Sequence, residues 1–306
     1  MLIHADDFGI TLAQAQKILA LSSACDGKGA LNSVSIFANS PVFEDVAQLA
    51  KPWVSRGTLR MALHLNLVEG KPCSNATDIP LLVGAHATFT HDFMSILLMS
   101  VSPKRDKLFE QLVAECRAQL QCYLKAFPEQ QSTLHIDSHQ HTHAIPLVFD
   151  ALLEACKQCN CTITRLRIPT EVFKPYCESG YLQYITWANR AKNTLLTQLC
   201  RTIPQKIPNS CITSYFCGVL FSGGMDIMDD TLLSTLAREA RKQDKELEVL
   251  FHPISVPIEK CLDPENTAFT KACASDSRNK EAACIQALNI LTSKQKARLK
   301  DQTPSI

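Results

Sequence analysis

Short apolar runs alternate along the chain with longer segments whose apolar positions recur every three to four residues, a pattern that predicts βα repeats around a parallel sheet. The short runs place strands at residues 1–4, 33–37, 60–65, 133–136, 162–168, 213–219 and 248–251. Between them, residues 107–127 carry Leu108, Leu112, Cys116, Leu120 and Leu124 on one stripe, which predicts a long amphipathic helix. Residues 145–156 and 230–241 read the same way. About seven parallel strands, each followed by a helix or loop, make an α/β fold that suits a barrel better than an open sheet. Two connections, residues 68–105 and 169–212, are long enough to be lids or small subdomains. With no internal repeat, low-complexity run or Gly/Ser linker, residues 1–306 are expected to form one domain.

Composition narrows the function classes. A net charge of +1, from 31 basic and 30 acidic residues, leaves no electrostatic footprint for nucleic acid or an anionic membrane surface. The densest basic run, 294–300, reads as the exposed face of a helix. No apolar stretch approaches the roughly 20 residues needed to span a bilayer. The opening residues lack the pattern of a signal peptide, so a cytoplasmic setting is expected. Fourteen cysteines spread over a chain of this length are then best read as reduced thiols. Cys156, Cys159 and Cys161 have C-x-x-C-x-C spacing but lack a fourth ligand at matching spacing, so no structural metal is expected there.

Polar groups at predicted strand ends carry the chemistry. His4-Ala5-Asp6-Asp7-Phe8-Gly9 follows the opening strand. Adjacent carboxylates at a buried strand end repel unless a cation or proton offsets them. An Asx-type turn into Gly9 accounts for one aspartate but not readily for two. In Leu63-His64-Leu65-Asn66-Leu67, alternation puts the leucines on one side and His64 with Asn66 on the other. His64 is by itself either a hydrogen-bonded core residue or a ligand. Residues 135–143 hold four of the nine histidines and an aspartate: His135, Asp137, His139, His141 and His143. That density points to a metal site, since imidazole suits borderline divalent ions. Geometry allows one or two of the four to ligate, leaving the others to orient ligands or touch substrate. His252, in Leu250-Phe251-His252-Pro253, ends the last strand, where a general acid could face the metal.

Taken together, these residues resemble the YdjC-like carbohydrate deacetylases, which include chitooligosaccharide and hopanoid-associated deacetylases. The Ala-Asp-Asp-Phe-Gly opening, His-Leu-Asn-Leu, Asp-Ser-His-x-His-x-His and the late His-Pro occur in the family's order, over about residues 1–290. The resemblance implies an irregular, TIM-like (β/α) barrel with one divalent metal on an Asp-His-His set, which falls on Asp7, His64 and His139. It places the catalytic base on Asp6 and the acid on His252. It also implies a homodimer. Two positions depart from the family pattern: His4 stands where Asn is usual, and Ile254 follows His252-Pro253 where Gly is common.

On this reading the reaction is hydrolysis of an N-acetyl group from an acetylated amino sugar or oligosaccharide. The cofactor is one Mg²⁺ or Zn²⁺ ion, Asp137 orients a histidine, and Arg167, His141 and His143 contact substrate or orient ligands. The alternatives are a metal-dependent hydrolase of another amide or a phosphoester, and a non-catalytic sugar-binding barrel. Intact Asp6 and His252 speak against the last, because binding alone has no use for a base and an acid.

Overall fold

The computed structural model describes residues 1–212 and 214–288, so the basic run at 294–300 lies outside the described residues. The strands are β1 (Leu2–Phe8), β2 (Ser33–Ile36), β3 (Arg60–Leu65), β4 (Leu134–Ser138), β5 (Ile163–Leu166), β6 (Ser214–Cys217) and β7 (Glu246–Phe251). They form one parallel sheet in the order β5-β4-β3-β2-β1-β7-β6, curled into an irregular, TIM-like half-barrel. Among the described residues no ladder joins β5 to β6. Side chains bridge that seam instead: Arg165 Nη2 donates to Ser214 Oγ at 2.8 Å, and Cys211 Sγ to the Ile163 carbonyl at 3.1 Å.

Strand alternation divides each strand between two environments. Ile3, Ala5, Val34, Ile36, Met61, Leu63, Leu134, Ile136, Leu247 and Val249 join the apolar core beneath the helices. The alternate positions, among them His4, Ser33, Arg60, His135, Asp137, Arg165 and Glu248, surround a lumen void of about 20 Å³. The inside of the barrel is thus polar, and its charges must satisfy one another. β1 is central, paired with β2 on one side and β7 on the other, and every one of its residues is buried. Pairing on both edges carries the strand past His4, its expected end, to Ala5, and the β2 ladder resumes at Phe8 beyond the two aspartates.

The helices are α1 (Leu12–Leu19), α2 (Phe43–Ser55), α3 (Phe93–Ser100), α4 (Arg105–Ala126), α5 (Pro146–Gln158), α6 (Lys174–Glu178), α7 (Trp187–Leu199), α8 (Asp230–Lys242) and α9 (Thr267–Ala274). Residues 277–288 are helical as well. The predicted stripe of α4 is buried throughout, and the helix ends at Phe127, before Pro128. Each of its leucines contributes about 1.5–3 kcal/mol by burial. Leu112→Ala would cost ~2–5 kcal/mol by leaving a cavity between α4 and its neighbours. α8 is capped by Asp229, whose carboxylate accepts from Leu232 N at 2.9 Å.

Both long connections contain helix, α3 in the first and α6 and α7 in the second, and each is anchored by a buried carboxylate. Glu115 of α4 accepts from Cys73 N and Ser74 N, both at 2.9 Å. Glu171 accepts from Gly218, Val219 and Leu220 N, at 2.9, 2.5 and 3.0 Å. Among the described residues no helix is long and apolar enough to cross a membrane.

Candidate metal centre and active site

Regular alternation would point Asp6 and Asp7 to opposite faces of the sheet. The backbone prevents this: Asp7 has φ 59°, in the left-handed region, and the β1–β2 register shifts between Ala5 and Phe8. A non-glycine residue there costs about 1–2 kcal/mol, and the local structure holds it. Gln14 Nε2 donates to the Asp7 carbonyl at 2.9 Å while its Oε1 accepts from Gly9 N and Ile10 N at 3.2 Å. Gly9 follows at φ +96°, where side chains are strained, and Ser40 Oγ donates to its carbonyl at 2.6 Å. A second pair of left-handed residues, Gln140 (φ 52°) and His141 (φ 59°), follows β4 and splits the histidine run.

Asp7, His64 and His139 each offer a ligand atom, and the three atoms lie within 4.8 Å of one another. Asp7 Oδ1 is 3.5 Å from His64 Nε2 and 3.1 Å from His139 Nδ1. Asp7 Oδ1, His64 Nε2 and His139 Nε2 are buried without hydrogen-bond partners. The other Asp7 oxygen is occupied by Arg278 Nη2 at 2.5 Å. On the far side of His64, Nδ1 lies 2.6 Å from Asp137 Oδ1. A proton on Nδ1, donated to that carboxylate, leaves the Nε2 lone pair facing Asp7, as in a carboxylate–histidine–metal triad. Phe37 packs edge-on against His64 and His139, at 4.9 and 5.2 Å between centroids, and Phe269 against His139 at 5.3 Å. Those rings hold both imidazoles in place.

Asp6 belongs to the network beneath. Arg167 grips it with two bonds of 2.9 Å, reaches Asp137 Oδ2 at 2.9 Å and donates to Glu248 Oε1 at 2.7 Å. Ser35 Oγ donates to Asp6 Oδ1 at 3.1 Å. His4, standing where Asn is usual, lies 3.1 Å from Asp6 and 3.3 Å from Asp137 through Nε2, and 2.8 Å from Ser33 Oγ through Nδ1. Burial works against every one of these charges. Even so, Arg167 and His64 hold the Asp6 carboxyl well below the usual range, and Arg278 and His139 do the same for Asp7. Against burial, the surrounding carboxylates push His64 up to about 10.

Asp6, Asp7, Asp137 and Glu248 face two guanidinium groups, Arg167 and Arg278, so this ion-pair network carries two excess negative charges. Protons on His4 and His64 would offset them, and so would one divalent cation. The orphaned ligand atoms, the charge deficit and the mixed carboxylate–imidazole donors all fit a divalent metal ion.

Above this centre is a cavity of about 540 Å³ whose walls include Asp6, Asp7, His139, His141, Lys192 and His252. Burial drives the His252 imidazole down to about 4, although Asp7 and Asp6 act the other way. Burial, Lys192 and Arg167 likewise keep His141 well below its ordinary value. Of the two roles open to Arg167 and His143, their surroundings suit orientation rather than substrate contact. Arg167 is 2% exposed with its guanidinium spread over three carboxylates beneath the cavity. His143 is turned to Ser138 Oγ at 2.5 Å and to the Arg167 carbonyl at 2.8 Å. His135 faces the lumen rather than the centre, and burial lowers it to about 4.

Lys192, Phe269, Arg278 and Glu281 also line the cavity, and they come from segments whose residue spacing carries no motif. Glu281 accepts from His252 N at 2.6 Å and so fixes the end of β7. The inward Glu248, two residues before Leu250, carried a signal in strand alternation alone.

The chain resembles several known proteins. A human carbohydrate deacetylase is 29% identical over 167 residues, 54% of this chain and 48% of that protein. One from Thermoanaerobacter pseudethanolicus is 28% identical over 160 residues, 52% of this chain and 57% of that protein. A chitooligosaccharide deacetylase of Proteus mirabilis is 27% identical over 161 residues, covering 52% and 55%. The chain thus spans about half the length of the curated relatives it matches. A crystal structure of an Enterococcus faecalis protein proposed to act in cellobiose-phosphate cleavage superposes with a TM-score of 0.58 at 17% identity, over 96% of this chain and 93% of that one, a likeness of fold. The model of the YdjC-like protein family matches residues 1–299. The chain belongs to the YdjC-like protein family.

Proposed function

We propose that the protein is a metal-dependent carbohydrate deacetylase that hydrolyses the N-acetyl group of an acetylated amino sugar or oligosaccharide. One observation carries the reading: Asp7 Oδ1 and His64 Nε2, orphaned beside His139, sit next to a cavity whose walls also include Asp6 and His252. The deacetylase names of the relatives support the substrate class. Asp7, His64 and His139 would hold one divalent ion, Mg²⁺ or Zn²⁺. When bound, that ion supplies Lewis-acid polarisation of the acetyl carbonyl and of water.

This chain's own residues then divide the proton work. Asp6 is held ionised and fixed in orientation by Arg167, so it can accept the proton of an attacking water without reorganising. A carboxylate held below its usual range is a weak base, and fixed position compensates for that weakness. The departing amine must gain a proton, and His252 is the group in the cavity wall to deliver it. Burial keeps His252 neutral at rest, so it would take up the proton that Asp6 removes from water and pass it to the departing amine, its transient charge favoured by Asp7 and Asp6. Asp137 orients His64, and His143, through Ser138 and the Arg167 backbone, steadies the loop that carries His139. The fourteen free cysteines are in keeping with the cytosolic, reducing setting we propose.

The test is acetate release from a panel of N-acetylated mono- and oligosaccharides, with chelated and metal-supplemented enzyme. Release that depends on added metal is expected. No release from any N-acetyl sugar, with turnover of a phosphoester under the same conditions, would replace this reading.

A further inference from the structure

Beside the catalytic cavity is a second one of about 530 Å³, and the two share Gln140 and Ala268 as wall. Gln140 is the left-handed residue next to His139, and its side-chain amide reaches toward Glu69 Oε1 at 3.5 Å. A ligand with its acetyl group beside Asp7 and His139 that extends past Gln140 would enter this space.

The two cavities differ in charge. Lys192, Lys271 and Arg278 line the catalytic one and offset its Asp6, Asp7 and Glu281. Glu69, Asp92, Asp263 and Glu265 line the second, with His86 and His91 but no lysine or arginine. These carboxylates do not converge on a point. Among the described residues only Asp7 with His64 and His139, and His4 with Asp6 and Asp137, bring three ligand atoms within 4.8 Å. At about 530 Å³ the second cavity has room for a ring-sized polar ligand.

Local structure explains two of the four acids: Asp92 caps α3, and Asp263 accepts from Glu265 N at 3.1 Å. Glu69 is 1% exposed and held by Asn266 Nδ2 at 3.1 and 3.0 Å. Burial, Asp263 and Asp7 push its carboxyl up to about 8. A cation in the cavity would relieve that cost.

We propose that the second cavity is a sugar subsite for the ring linked to the acetylated one, and that it selects a ring bearing a free ammonium group. This rests on the deacetylase reading and deepens it: the preferred substrate is a partly deacetylated amino-sugar oligosaccharide.

The experiment compares kcat/KM for acetate release from N-acetylglucosamine, the diacetylated disaccharide and disaccharides carrying one acetyl group and one free amine. The amine-bearing disaccharide should be favoured over the diacetylated one by about tenfold, the scale of one partly desolvated charge pair. In the double variant Asp263→Asn, Glu265→Gln that ratio should fall toward one, and in wild type it should shrink with added salt. Equal turnover of all three substrates, or preference for the diacetylated one, would overturn the subsite. If no sugar releases acetate, the deacetylase reading fails, and calorimetry with the fully deacetylated disaccharide still decides the subsite. Binding lost in the double variant supports it, and absence of binding overturns it. Magnesium or calcium binding that the double variant abolishes would assign the cavity to a cation and overturn it too.

Discussion

Asp137→Asn should weaken metal binding without touching a metal ligand. In the native arrangement Asp137 Oδ1 accepts from His64 Nδ1 at 2.6 Å and Oδ2 accepts from Arg167 Nη2 at 2.9 Å. Asparagine has one acceptor oxygen and one donor nitrogen, so it cannot serve both neighbours. With its oxygen toward His64, its amide confronts the Arg167 guanidinium, donor against donor. With its oxygen toward Arg167, its amide meets His64 Nδ1 and forces the proton onto Nε2, the atom that faces Asp7. Either way His64 becomes a poorer ligand. Losing such an outer partner typically costs 10–100-fold in metal affinity, about 1.4–2.7 kcal/mol. At free metal 100 times the wild-type Kd, loading should stabilise wild type by about 2.7 kcal/mol. A variant weakened 100-fold would gain about 0.4 kcal/mol under the same conditions. Thermal unfolding with and without metal, alongside chelator competition, reads the difference directly. A metal-induced stabilisation equal to that of wild type would refute the triad argument.

Other expectations follow from the same geometry. Asp6→Asn should retain its metal and lose ~10²–10⁴ in kcat, and near-normal turnover at full metal loading would remove Asp6 as base. His252→Ala should slow amide hydrolysis far more than hydrolysis of an activated aryl acetate, whose leaving group departs without a proton; equal losses would point to positioning instead. Glu248→Gln should flatten the acid limb of the stability curve. Arg167 and His4, against burial, hold the Glu248 carboxyl below its ordinary value. Its contribution is therefore present above roughly pH 4.5 and lost as pH falls through the lowered folded value. Acid denaturation of the two proteins side by side checks it, and parallel acid limbs would contradict the assignment.

All seven strands were legible because short apolar runs at βα spacing leave few alternatives, and the α4 stripe was legible because it repeats every four residues. The boundaries moved where neighbours intervene: pairing on both edges reaches Ala5, and pairing with β2 resumes at Phe8, so β1 runs past Asp6 and Asp7. Asp6 with Asp7, His64 and the histidine run 135–143 were legible as metal-type side chains at strand ends, while the choice of Asp7, His64 and His139 among them came from the family resemblance alone. That two adjacent aspartates share one site depends on the positive φ of Asp7, which no local pattern announces. For Arg167 the sequence left both substrate contact and an orienting role open. Its position was set by inward carboxylates on three other strands: Asp6, Asp137 and Glu248. Arg278 and Glu281 were hidden because a helix with no motif closes over the site only in three dimensions.

The central claim, that Asp7, His64 and His139 form a single divalent metal centre, is tested most directly by metal analysis of the purified protein beside Asp7→Ala and His139→Ala. The account predicts about one divalent ion per wild-type chain and strong loss in both variants while each remains folded; unchanged occupancy in both would contradict it.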